Sequence, residues 1–319
     1  MKKVLKITGL VLGTIILLAL LGFLFINSSD IPSYEIRSID YKVVSTPESV
    51  ARGKKLALIL CANCHRNSET GKLTGTKMLD VPKEFGEIYS QNITQDKTFG
   101  IGGWSDGELL YLLRTGIKKD GQYAPPYMAK LPNMADSDVN AIISFLRSDD
   151  RLVAADPTPD IPPKPSFVTK LLSRLAWKPF PMPTDKIILP DTTQTLALGR
   201  YLAVNLDCYA CHSADLKTVD FLHPEQSPGY FGGGTQLLDM EGRAKNALNI
   251  TPDKETGIGD WSEYQFVQAV KYGSIDGDKA LTYPMVPYLH LSDTEVAAIY
   301  QYLKTIPPIN HQVVRLTYD

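Results

Sequence analysis

The stretch Cys61-Ala62-Asn63-Cys64-His65 recurs as Cys208-Tyr209-Ala210-Cys211-His212, and the two pentads use all four cysteines of the 319-residue chain. C-x-x-C-H is the attachment signature of c-type haem. Two thiols three residues apart in one helical turn reach the two vinyl groups of one porphyrin, and the next side chain, an imidazole, projects towards the iron. Cys61, Cys64, Cys208 and Cys211 are therefore read as covalent anchors of two haem c groups, with His65 and His212 as proximal iron ligands. A C-x-x-C pair also serves as a redox dithiol or as half of a zinc site. Neither chemistry needs a histidine directly afterwards, and a shared tetrathiolate would have to pair the two pentads.

Outward from the pentads the chain repeats itself. Residues 92–147 match 249–304 without a gap, with 17 identities in 56 positions, beginning Asn92-Ile93-Thr94 and Asn249-Ile250-Thr251. The offset is 157 here but 147 at the cysteines, so the second copy holds ten extra residues between its two motifs. A period of this length means a duplicated domain, because solenoid repeats run about 20–50 residues. The same register aligns Met128 with Met285, each in a proline-containing loop before the last helix. These two are read as the distal iron ligands. Met134 competes in the first copy but aligns with Leu291, a packing position, whereas His290 competes in the second and aligns with Asn133. His223 and His311 have no counterpart and read as surface histidines. His/Met ligation leaves no open position on iron, which suits electron transfer better than substrate activation. Trp104 and Trp261 read as core, with an indole N–H given to a haem propionate as the rival role. Asn92 and Asn249 read as side chains that fix their loops.

Ser105-x-x-Glu108 and Ser262-x-x-Gln265 are capping boxes that open helices, and Gly116 and Gly273 stand where those helices should stop. Further helices are expected at 53–60, 136–147, 199–207 and 292–304, and no period-two alternation lasts long enough for a sheet. Between the copies, nine of the 22 prolines fall in 156–190, an extended connector. It is interrupted at 166–177, where Phe167, Leu171 and Leu175 lie at i, i+4, i+8 with Lys170, Arg174 and Lys178 beside them. That is a short amphipathic helix, which either packs on one of the domains or lies on a membrane surface.

At the N-terminus Lys2, Lys3 and Lys6 precede an uncharged run of twenty residues, 7–26. As a helix it spans about 30 Å, the hydrocarbon thickness of a bilayer. It exceeds the roughly 7–15 apolar residues of a cleavable signal peptide and lacks an A-x-A-like site, so an uncleaved signal anchor is expected. The lysines before it and the absence of a basic cluster after it place the N-terminus inside and the bulk of the chain outside. With 33 Lys+Arg against 35 Asp+Glu, the net charge of −2 offers no basic footprint for nucleic acid. Apolar content of 44 % and charged content of 21 % exclude wholesale disorder.

The order Gly-x-x-Leu-Ala, C-x-x-C-H, N-I-T-x-D-K-x-x-G-I-G-x-W-S, methionine loop and final helix resembles class I cytochrome c domains. More narrowly, the run from Asn249 to Ser262 is similar to the cytochrome c subunits of bacterial membrane-bound alcohol and gluconate dehydrogenases. Those subunits typically carry three haems, against two attachment motifs here. The resemblance implies three to five helices around each haem and a periplasmic location. The expectation is an all-α chain, a tandem duplication of class I cytochrome c domains preceded by one transmembrane helix. Its expected segments are an anchor at 1–27, a first domain at 45–150, a connector at 151–193, a second domain at 194–309 and a tail at 310–319. The expected function is that of a single-pass protein of the bacterial inner membrane with its haem domains on the periplasmic side. It would relay single electrons from a respiratory or dehydrogenase donor to a downstream acceptor. Its redox partners would be a dehydrogenase, a quinol-oxidising complex or a terminal oxidase. The alternative is a diheme peroxidase-like enzyme with one iron whose sixth site is open or displaceable.

Overall fold

In the computed structural model, residues 1–275 and 279–316 are described, so the last three residues of the expected tail lie outside them. Helix α1 (Lys2–Ser28) contains the uncharged run. It is the one helix among the described residues that is long and apolar enough to cross a membrane, and none of its residues is fully buried.

Helix α2 (Pro47–Leu60) starts six residues earlier than the expected 53. Pro47 opens it with a pre-set φ. Thr46 caps it, its Oγ1 accepting from the Ser49 amide while the Thr46 amide donates to Ser49 Oγ. A serine in place of Glu or Gln concealed that capping box. Helix α3 (Ala62–His65) carries the first pentad, and α4 (Asp106–Thr115) and α5 (Asp136–Leu146) complete the first unit. Its core sets Val139, Ile142, Ile143 and Phe145 of α5 against Leu56 and Ala57 of α2. The two backbones touch at Gly53, where a Cβ would lie 1.8 Å from the Ala141 carbonyl oxygen.

After α6 (Phe167–Leu175) in the connector come α7 (Thr195–Asn205), α8 (Cys208–His212), α9 (Glu263–Tyr272) and α10 (Asp293–Leu303). Helices α7 and α10 meet in the same manner, with a Cβ on Gly199 falling 1.9 Å from the Ala298 carbonyl oxygen. Around them Leu202, Phe231, Val296 and Leu303 form the second core. The capping boxes at Ser105 and Ser262 form with both reciprocal bonds, and Gly116 and Gly273 close those helices at φ 83° and 75°.

Three antiparallel pairs of two or three residues each are the strand content of the described residues. They are β1 (Gly86–Glu87) with β2 (Lys164–Pro165), β3 (Gln236–Leu238) with β4 (Ala244–Asn246), and β5 (Ser274–Ile275) with β6 (Lys279–Ala280). Runs so short leave no alternation to read in a sequence, and the fold remains mostly helical.

The proline-rich connector does not hang free. The Phe180 amide donates to Thr115 O (3.1 Å), the Asp136 amide to Ile187 O (2.9 Å), and β2 pairs with β1. The backbone groups that proline keeps out of helix find their partners on the first unit. The two units also meet directly. Tyr201 of α7 accepts from the Ala135 amide (3.1 Å) and donates to Asp138 Oδ2 (2.6 Å). Asp138 is fully buried and also holds Arg52. Lys55 pairs with Glu295, Asn133 Nδ2 donates to Phe221 O (2.7 Å), and Ile59 and Leu60 pack against the second core.

Candidate haem sites

Each pentad sits where a long helix runs into a short one. In the first, the amides of Cys64 (3.2 Å) and His65 (2.9 Å) both donate to Cys61 O, so the two cysteines share one turn. No disulfide joins the four cysteines, and burial pushes the thiols of Cys61 and Cys208 up to about 12 and those of Cys64 and Cys211 up to about 11. In the second pentad the helix needs one more residue, since Cys208 stands nine after Gly199 whereas Cys61 stands eight after Gly53. Asp207 absorbs it by taking the left-handed conformation at φ 56°.

Both histidines are aimed by the backbone. His65 Nδ1 lies 2.7 Å from Gln91 O, and His212 Nδ1 lies 2.7 Å from Leu248 O. A carbonyl only accepts, so Nδ1 carries the proton and Nε2 keeps the lone pair that a metal ligand needs. Burial lowers the pKa of both imidazoles, which holds them neutral. Gln91 and Leu248 each directly precede an Asn-Ile-Thr motif. A backbone acceptor has no side-chain signature, so neither was visible in the sequence.

The asparagines lock the loops that bear these carbonyls. Asn92 Oδ1 accepts from the amide (2.9 Å) and hydroxyl (2.7 Å) of Thr94, and Asn249 Oδ1 does the same for Thr251 (2.9 and 2.7 Å). Their Nδ2 groups donate to the chain returning after the last helix, at Asp156 O (3.0 Å) and at Ile309 O (2.7 Å). Two glycines let the loops approach the pentads. Gly75, at φ 83°, donates to His65 O (2.8 Å), and Gly233, at φ 73°, donates to His212 O (2.7 Å). A Cβ at these positions would stand 2.2 Å from Ser90 O and 2.5 Å from the Asn249 nitrogen.

The two methionines stand on like turns. The Met128 amide donates to Pro125 O (3.0 Å) and the Met285 amide to Thr282 O (3.1 Å), and both residues are half-buried. Met134 is wholly enclosed in the first core and Leu291 in the second, which makes Met134 a packing residue. His290, His223 and His311 are exposed, although His311 Nδ1 reaches Gly232 O at 3.0 Å. Trp104 and Trp261 are half-buried against the two cores.

One residue that the sequence did not single out joins the two units near the sites. Tyr283 of the Met285 loop hydrogen-bonds Asp80 of the first unit, and burial together with that bond raises its pKa. Tyr283 aligns with Pro126 in the first copy, so the repeat pattern gave it no partner.

The donor set fits haem c at each site: two cysteines in one turn and a neutral imidazole with Nε2 free, with one thioether per repeat on a turned loop. Among the described residues no group of three or more His, Cys, Asp or Glu side chains is arranged to hold a metal ion by itself. The rival zinc reading therefore has no site there.

Residues 50–149 match the family model of cytochrome c. The match covers the segment that holds the first pentad, Met128 and helices α2 to α5. Beyond it, the chain is 31 % identical over 276 residues to the fructose dehydrogenase cytochrome subunit of Gluconobacter japonicus, covering 81 % of this chain and 53 % of that one. It is 32 % identical over 271 residues to the gluconate 2-dehydrogenase cytochrome c subunit of Pantoea cypripedii, covering 81 % and 59 %. It is 29 % identical over 262 residues to a diheme cytochrome c-type protein of Cereibacter sphaeroides, covering 78 % and 82 %. The chain thus spans a little over half the length of the dehydrogenase subunits it matches. The resemblance read from the motifs is the one these relatives bear out.

Proposed function

We propose that this chain is a membrane-anchored diheme cytochrome c that relays single electrons from a dehydrogenase or respiratory donor to a downstream acceptor. The observation that carries the reading is that one ligand geometry is built twice: His65 on Gln91 O and His212 on Leu248 O, with Met128 and Met285 on like turns. On this reading 45–150 and 194–309 are tandem class I cytochrome c domains, and 151–193 joins them. Haem c, when bound, supplies a one-electron iron couple held by thioethers. The chain's own part is to orient that group. Cys61, Cys64, Cys208 and Cys211 would attach it, and Nε2 of His65 and His212 with the thioethers of Met128 and Met285 would ligate its iron. Helix α1 spans the bacterial inner membrane once, with both domains on the periplasmic side.

A peroxidase needs one iron with a displaceable sixth ligand. The like build of the two methionine turns supports a carrier instead. Two measurements test the proposal. Mass spectrometry of the mature protein should give two covalent haems, and a redox titration followed by absorption should give two one-electron waves. A single haem, or a high-spin component in the oxidised protein, would overturn it.

A further inference from the structure

Helix α6 is inside out for a helix that lies on a protein. Such a helix normally turns its apolar stripe to the core. Here Thr169 and Ser173, both fully enclosed, face the first unit. Thr169 Oγ1 donates to Phe85 O (2.7 Å), and Ser173 Oγ has no hydrogen-bond partner among the described residues. The opposite side carries Phe167, Leu171 and Leu175, with Leu175 72 % exposed and the adjacent Val168 39 % exposed. Phe167 and Leu171 are half-buried, and it is Val168 and Leu175 that the chain leaves uncovered.

Its place in the molecule says what covers it. The Phe167 ring lies 4.8 Å from that of Phe23, five residues before the end of α1. Five residues of helix are about 7.5 Å of depth. Lys170 Nζ donates to Asn27 O (2.8 Å) and Arg174 Nη2 to Asp30 O (2.6 Å), where the chain leaves α1. Lys178 follows on the same edge and is exposed. Trp177 packs edge-on against Phe85 at 5.3 Å and ties the assembly to the first unit. An aromatic side chain beside the last turns of a spanning helix, followed by two cations bonded to its exit and a third one turn further on, matches the profile of the headgroup boundary.

We propose that α6 is an interfacial helix that seats on a bilayer containing anionic phospholipid, Val168 and Leu175 entering the acyl region and Lys170, Arg174 and Lys178 lying among the headgroups. It then holds the first unit at a set height over the membrane. The inference rests on the reading that α1 spans the bilayer.

The test uses the full-length holoprotein in vesicles containing phosphatidylglycerol. With its own cysteines joined to haem, Leu175→Cys adds one reactive thiol for a nitroxide label. Collisions with oxygen, which concentrates in lipid, are compared with those of a water-soluble nickel chelate. Leu18→Cys serves as the bilayer reference and Glu241→Cys as the aqueous one. The expected result is an oxygen-to-nickel ratio at position 175 several-fold above that at 241. An aqueous ratio at 175 beside a bilayer ratio at 18 overturns the seating of α6 alone. Aqueous ratios at both overturn the spanning of α1, and the inference with it.

Discussion

The hydroxyl of Tyr283, in the loop that carries Met285, donates to the carboxylate of Asp80, fifteen residues beyond His65 in the first unit. The bond ties the loop of Met285 to the segment that follows the first pentad. A hydrogen bond to a charged acceptor is worth about 1.5–3 kcal/mol. Tyr283→Phe should therefore lower unfolding stability by about 1.5 kcal/mol while leaving the haem content unchanged. Denaturant titration checks the first and the absorption-to-protein ratio the second.

A second contact between the units has more at stake. Asp138 is fully buried between Arg52 and the Tyr201 hydroxyl. Asp138→Ala strands a guanidinium and a hydroxyl, and should cost about 3–5 kcal/mol. Tyr201→Phe removes one bond and should cost about 1–2 kcal/mol. Because both act on one network, the double variant should lose less than the sum of the singles. Urea melts of the three variants measure this.

The helix crossings at Gly53 and Gly199 tolerate no side chain. A Cβ 1.8 Å from Ala141 O or 1.9 Å from Ala298 O requires the helices to separate. Gly53→Ala and Gly199→Ala should each destabilise the protein by about 2–3 kcal/mol, as overpacking does. Each should also reduce haem incorporation, since α2 and α7 lead straight into the pentads. Gly13→Ala, which meets nothing within 4 Å, should match the parent protein.

Asp207 makes stability depend on pH. Burial raises its carboxyl from 3.8 to about 7. The folded state thus holds a proton that the unfolded chain has released, and stability rises with pH only where the unfolded state binds more protons. The sign here is the opposite. The contribution is whole below pH 3.8 and is lost as pH climbs through about 7. Asp207→Asn, which keeps the side chain's shape and tolerates the left-handed backbone, should flatten that decline. Thermal midpoints at several pH values between 4 and 7.5 would show it.

Side-chain patterns were more legible in the sequence than relations between backbone segments. The pentads, the aligned methionines and the serine caps were legible because each is a side-chain pattern at fixed spacing. What escaped were relations carried by backbone. The carbonyls of Gln91 and Leu248 that aim the imidazoles have no residue signature. The short hairpins are too brief for a period. The connector reads only as extended because proline marks where a chain cannot be helical, not what it lies against. Helix α6 was visible as amphipathic, yet only its contacts with Phe23 and Phe85 show which face is turned outward.

Ligation of two haems by two methionines of like placement is read from the spin state of the oxidised holoprotein. The parent should be wholly low-spin. Met128→Ala and Met285→Ala should each convert one haem, and only one, to high spin with a lowered potential, while Met134→Ala should change neither. A high-spin haem in the parent, or conversion by Met134→Ala but not by Met128→Ala, would contradict it.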